Sequence, residues 1–397
     1  MRSSHFAQPV RVLAVLGTRP EAIKLAPVLV RARQRWSGAD APLRLSLCTT
    51  GQHREMLVQV LELFGLVPDV DLAVMTDNQT PSQVAAAVLT GLAPLLAPER
   101  PDWVMVQGDT TTVAAASLAA YYAGARVAHV EAGLRTHDKW RPFPEEVNRR
   151  IAGAIADLHF APTRRAQDNL LREDVPASQI VLTGNTVVDA LQQVVAQPIS
   201  PEAVTLLDRA RLDDTTRLVF VTAHRRESFG PPFEQICLAL RDLARHDPGI
   251  RIVYPVHLNP NVQEPVRRIL SDEPNVVLAP PVDYLTLIHL IKRARIVLTD
   301  SGGIQEEAPG LGVPALVLRE VTERPEGVEA GVARLVGTDR DTIVREALRL
   351  LYDDSEHQRM ARAVNPYGDG RAADRILDAF LGNPVVPFGM AGAGVSG

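Results

Sequence analysis

Much that would staple, anchor or electrostatically target a protein is scarce in this chain. Its 397 residues include two cysteines, Cys48 and Cys237. Neither has a second cysteine or a ligand-spaced histidine nearby, which speaks against a disulfide framework or a zinc site and suits reduced thiols in the cytoplasm. Long hydrophobic runs are missing too. The first, Val10 to Leu16, is too short to span a bilayer or form a signal core, and Arg11 interrupts it, so no membrane partner is expected. There is no basic excess: 42 Lys and Arg stand against 47 Asp and Glu, for a net charge of -5, so no nucleic-acid partner is expected. The basic pairs Arg149-Arg150 and Arg164-Arg165 read as solvated faces. G-x-x-x-x-G-K-[ST] is absent, and no G-x-G-x-x-G follows a strand, which disfavours P-loop nucleotidases and nicotinamide enzymes.

Short apolar runs are present throughout, alternating with amphipathic helical stretches. "VRVLAVLG", "DWVMVQGD" and "ARVAHVEA" are strand candidates of the first half, and "RLVFVTAH", "IRIVYPVH" and "RIVLTDSG" of the second. Strand-helix-strand repetition of this kind builds parallel sheets covered on both faces. At this length two cores are expected. The prolines of "VVAQPISPEA" mark the seam, giving an N-terminal Rossmann-like domain over 1–193 and a second over 194–368. Residues 386–397 are small, Gly-rich and aperiodic and read as a loose tail.

Polar clusters fall where strands end: "GTRPEAIK", "TTGQHRE", "QGDTT" and "HVEAGLRT" in the first half, "TAHRRESFG", "PVHLNP" and "DSGGIQEE" in the second. Ligands of open parallel sheets bind at the carboxyl ends of strands, so two such edges facing an interdomain cleft are expected. Ser301, Gly302 and Gly303 let a phosphate approach backbone amides at a helix start, although tight packing alone also uses glycine there. Glu306 and Glu307 are expected in that helix's first turn, Glu306 complementing the dipole and Glu307 accepting from ribose hydroxyls. Arg19, Lys24, His224, Arg225 and Arg226 supply cationic or hydrogen-bonding groups. Asp109, Glu131 and Glu145 form an acidic set on the first domain's edge, while Asp109 as a helix cap and Glu145 as a helix-start acid are the plainer readings.

At these motifs, and at "TGNTVVDAL", "TERPEG" and "NPYGDGRAA", the sequence closely resembles the non-hydrolysing bacterial UDP-N-acetylglucosamine 2-epimerases, in unchanged order over nearly the whole chain. The resemblance implies an α/β protein of GT-B-like fold with two Rossmann-like domains. It also implies a homodimer, no metal or other cofactor, and a C-terminal helix within 369–385 packing back on the first domain. It assigns the chemistry to Asp109, Glu131, Glu145 and His224. UDP-sugar binding falls on Arg19, Lys24, Val282, Leu287, Ser301, Gly302, Gly303, Glu307 and Arg324. A second UDP-GlcNAc acting as activator is associated with Gln52, His53, Arg225 and His257. Leu287 stands where some relatives carry an aromatic residue, so base stacking is weaker.

The proton on sugar C2 is not adjacent to a carbonyl. Loss of UDP from C1 makes it removable and gives 2-acetamidoglucal, and re-addition from the other face needs more than one proton-transfer group. A GT-B glycosyltransferase, a hydrolysing epimerase, an epimerase of a modified UDP-HexNAc and a silent nucleotide-sugar sensor are the rivals.

Overall fold

Two all-parallel sheets organise the chain. The computed structural model describes residues 8–38, 40–51, 54–74, 76, 79–97, 100–213 and 215–389. They divide into one unit formed by Met1–Ala190 with Gly368–Gly397 and another formed by Leu191–Tyr367.

The first unit contains β1 (Val10–Leu16), β2 (Leu43–Thr49), β3 (Val70–Asp71), β4 (Trp103–Gln107), β5 (Arg126–Val130), β6 (Leu158–Ala161) and β7 (Ile180–Leu182). Their spatial order is β3-β2-β1-β4-β5-β6-β7. The second contains β8 (Arg217–Thr222), β9 (Ile250–Pro255), β10 (Val276–Ala279), β11 (Ile296–Thr299), β12 (Ala315–Val317) and β13 (Ala333–Leu335), ordered β10-β9-β8-β11-β12-β13. All the apolar runs expected as strands are strands. β3, two residues at a sheet edge, has no apolar run to announce it.

Central strands read as unbroken hydrophobic stretches because helices cover both faces. Every residue of β4 and of β11 is buried. In each sheet the strand order reverses once, between β1 and β4 and between β8 and β11. A crevice opens at such a switch point, where neighbouring connections leave to opposite faces.

The helix Ala372–Phe380 belongs to the first unit although it comes last in the chain. Arg31 and Arg35 pair with Asp374 and Asp378, each at 2.8 Å, and Phe380 meets Trp103 and Phe160 edge-on with centroids 5.6 Å apart. Buried Asp189 accepts from the amides of Ala372 and Ala373 at 3.2 and 2.8 Å, capping the helix from far away in sequence. Burial pushes its pKa up to about 6. Phe388 N–H donates to the Leu182 carbonyl at 2.9 Å, tying down the start of the expected tail. Residues 390–397 lie outside the described residues.

His129 and His159 are register partners on β5 and β6, both about 1% exposed. Burial lowers their pKa values to about 3 and about 4. Both rings are therefore expected to stay neutral, with no titration of their NMR resonances between pH 8 and pH 5. A shift in either over that range would contradict their burial. Since the unfolded rings protonate first, below an ordinary pKa near 6.5, each withdraws stability as pH falls, by about 2 kcal/mol at pH 5. Asp189 works in the opposite sense: with its folded pKa raised, it adds stability as pH falls from about 6 toward its unfolded value.

Candidate active site

Glu131 follows the last residue of β5 and is 8% exposed. Its φ of 64° lies in the left-handed region that non-glycine residues seldom enter, a strain that the surrounding contacts must hold. Three elements converge on its carboxylate. Oε1 accepts from Lys24 Nζ of helix Arg19–Arg35 at 2.5 Å and from Asn185 Nδ2, beyond β7, at 3.1 Å; Oε2 accepts from Gln107, which ends β4. Two residues on, Gly133 has φ 89°, and a Cβ there would lie 2.2 Å from the Ala166 carbonyl oxygen, so glycine is required to seat this loop.

Asp109 sits in the turn after β4. Thr110, not Asp109, caps helix Thr111–Tyr122, its hydroxyl accepting from Val113 N–H at 3.3 Å. This corrects the plainer reading of Asp109 as a cap. Its side chain instead accepts from Arg149, and its carbonyl accepts from Asn148 Nδ2 at 3.1 Å. Arg149 also reaches Glu146 at 3.2 Å. Glu145 opens helix Glu145–Ile155 and is half-buried. Fully buried Glu146 does the bracing, accepting from the amides of Thr136 and His137 at 3.0 and 3.2 Å.

At the β1 side of the same switch point, Arg19 begins its helix and is half-buried. A Cβ on Gly17 would lie 2.5 Å from Thr50 Oγ1 and 2.8 Å from Thr112 Oγ1. Buried Glu21 accepts from the amides of Gly17 and Thr18 at 2.6 and 2.7 Å and from the Thr110 hydroxyl, which locks the β1 and β4 turns together. Burial pushes its carboxyl upward in pKa, against these hydrogen bonds. Gln52 and His53 lie outside the described residues.

In the second unit, Ser301 is the N-cap residue of helix Gly302–Gly310. The helix begins early enough that Glu306 and Glu307 fall in its second turn. Its first turn carries no acid, so the expected dipole role of Glu306 is not what the structure shows. Glu306 is 2% exposed and accepts from Arg324 Nε, while Glu307 is buried beside it in sequence. Val282 and Leu287 are partly buried and pack on the apolar cluster that contains Phe220 and Val297.

His224 and Arg225 leave β8 at the other side of this switch point. The His224 ring stacks on that of His257, with centroids 5.2 Å apart and planes 11° apart. Arg225 lies 3.8 Å from Glu323 and, by its guanidinium, 3.8 Å from where a Cβ on Gly302 would be. The structure thus gathers His224, Arg225, His257 and the Ser301-Gly302-Gly303 turn. Burial lowers the pKa of His224, and Asp300 pulls it up. Sequence reasoning passed over Asp300, Gln107 and Asn185, and it read Arg149 as part of a solvated face, which the structure corrects: Arg149 is buried between Asp109 and Glu146. Each is a polar residue at or near a strand end or helix start, but its partner is remote in sequence.

Two Rossmann-like parallel sheets, each with polar residues at its own switch point, define an α/β protein of the GT-B-like class. The UDP-N-acetylglucosamine 2-epimerase family profile matches residues 38–381. A UDP-N-acetylglucosamine 2-epimerase of Escherichia coli (strain K12) is 53% identical over 379 residues, covering 95% of this chain and 100% of that relative. One from Salmonella typhimurium is 52% identical, over 93% of this chain and 98% of that relative. The crystal structure of UDP-GlcNAc 2-epimerase from Neisseria meningitidis, bound to UDP-GlcNAc, superposes with TM-score 0.85 at 43% identity, over 94% of this chain and 100% of that one. The chain belongs to the UDP-N-acetylglucosamine 2-epimerase family.

Proposed function

We propose that this protein interconverts UDP-GlcNAc and UDP-ManNAc at C2 by eliminating UDP to 2-acetamidoglucal and adding it back. The observation that carries the reading is that Asp109 follows β4 and the Ser-Gly-Gly turn follows β11, each beside the place where its sheet's strand order reverses, with Glu131 at the end of the neighbouring β5. The first unit carries the proton-transfer set, Asp109, Glu131 and Glu145. The second carries the UDP-holding set: the Ser301-Gly302-Gly303 amides, His224, Glu307, Arg324 and the apolar side chains of Val282 and Leu287. Arg19 and Lys24 add cationic character beside the acids, with Lys24 tethered to Glu131.

In the reaction the C1–O bond breaks with its electron pair on the β-phosphate. The C2–H bond supplies the C1=C2 double bond, and its proton passes to a carboxylate. A donor well placed at the departing oxygen contributes up to ~3 kcal/mol. Re-addition reverses these steps with the proton delivered to the opposite face. Arg225, His257, Gln52 and His53 are proposed to serve a second UDP-GlcNAc that activates turnover. The family resemblance supports a homodimer, and two buried free thiols suit a reducing cytoplasm.

Proton NMR in deuterated buffer tests this from both directions. Product is expected to carry deuterium at C2, and pure UDP-ManNAc is expected to convert only after UDP-GlcNAc is added. Unlabelled product sinks the elimination route, full-speed conversion without UDP-GlcNAc sinks the activator, and free ManNAc identifies a hydrolase.

A further inference from the structure

Asp300 follows β11 and is fully buried. Its Oδ2 accepts from the backbone amides of His224 and Arg225 at 2.6 and 2.7 Å. Among the described residues Oδ1 has no hydrogen-bond partner, and it stands 3.7 Å from His224 Nδ1. That separation is too long for a hydrogen bond, but a buried carboxylate oxygen without a donor is costly, and catalytic contacts commonly tighten when ligand binds. The imidazole meets the acid at its Nδ1 edge, and its face is stacked on His257. The side chain is still 39% exposed, leaving a route for ligand.

We propose that Asp300 is a positioning residue that keeps a proton on His224 Nδ1, so that Nε2 is the atom presented to the diphosphate of the nucleotide sugar. This rests on the function proposed above. The groups facing His224 are Asp300, His257 and Arg225. Entry of the diphosphate's negative charge favours the doubly protonated ring. Its Nε2–H then donates to the β-phosphate oxygen as the C1–O bond breaks, while Asp300 balances the imidazolium from the other side. By holding the two amides with the same carboxylate, Asp300 fixes the turn and the tautomer together.

Asp300→Asn separates those two jobs. The amide oxygen can keep both backbone N–H bonds, whereas its NH2 group now faces Nδ1 and forces the proton to Nε2. Nitrogen-15 NMR of the imidazole, assigned by loss of signal in His224→Gln, is expected to show Nδ1–H in the unliganded native protein and Nε2–H in Asp300→Asn. The kcat of the variant is expected to fall by ~100-fold or more, since a wrong tautomer has cost as much as ~10⁴-fold elsewhere. KM and UDP affinity are expected to move less than about threefold. An Nε2–H tautomer in the native protein overturns the proposal, and that measurement does not depend on the variant folding. So does an Asp300→Asn enzyme within a few-fold of native kcat while Asp300→Ala is inactive, which would leave Asp300 as a backbone staple. The tautomer reading uses no substrate, whereas failure of native protein to convert UDP-GlcNAc would sink the function and leave Asp300's hold on the ring intact.

Discussion

Turnover is expected to fall by ~100-fold or more in Glu131→Gln, a barrier increase of about 2.7 kcal/mol, while UDP still binds. The carboxylate takes Lys24 and Asn185 on one oxygen and Gln107 on the other. A glutamine can keep its oxygen toward Lys24 and Asn185, and Gln107 can turn its own amide round to accept from the new NH2 group. The hydrogen-bond set is thereby rebuilt, and the variant is expected to fold. What disappears is a basic oxygen able to receive the C2 proton, together with the negative charge opposite Lys24. Asp109→Asn is expected to act alike. Steady-state kinetics, with calorimetry for UDP, checks both; a variant keeping near-native turnover has lost its residue's place in the proton-transfer set.

Arg149→Leu is expected to destabilise the first unit by about 3 kcal/mol. Arg149 is 7% exposed and stands between Asp109 and fully buried Glu146. Removing one partner of a buried pair commonly costs about 3–5 kcal/mol, because the remaining charge keeps its desolvation penalty. The lower figure applies because Glu146 retains the Thr136 and His137 amides. Urea unfolding followed by tryptophan fluorescence reads this unit selectively, since the three tryptophans, Trp36, Trp103 and Trp140, all belong to it. A change below 1 kcal/mol would show that Asp109 and Glu146 need no counterion from Arg149.

The strands were legible because burial on both faces writes itself as an apolar run, and the polar clusters were legible because they interrupt those runs. β3 was not, having two residues and an edge position. Strand order was also hidden, so the sequence located the clusters at strand ends without showing which of them border a switch point, namely those after β1 and β4 in one sheet and after β8 and β11 in the other. Lys24 illustrates the limit at the site. Its position near the start of a helix suggested a phosphate ligand, yet it pairs with Glu131, 107 residues away, and no local pattern encodes such a contact. Glu306 and Glu307 were displaced by one turn because the helix already begins at Gly302, a residue that reads equally well as loop. Asp300 was visible as the end of a hydrophobic run. Its work on amides 75 and 76 residues earlier was not.

The return of helix Ala372–Phe380 to the first unit orders how the chain matures during synthesis. Residues 191–367 emerge from the ribosome as one contiguous piece and can close on their own contacts. The unit that emerges first has to wait, with the Asp189 carboxylate lacking its two amides and the Trp103 and Phe160 edges uncovered, until residues 372–380 have been made. The half translated earliest is therefore completed last.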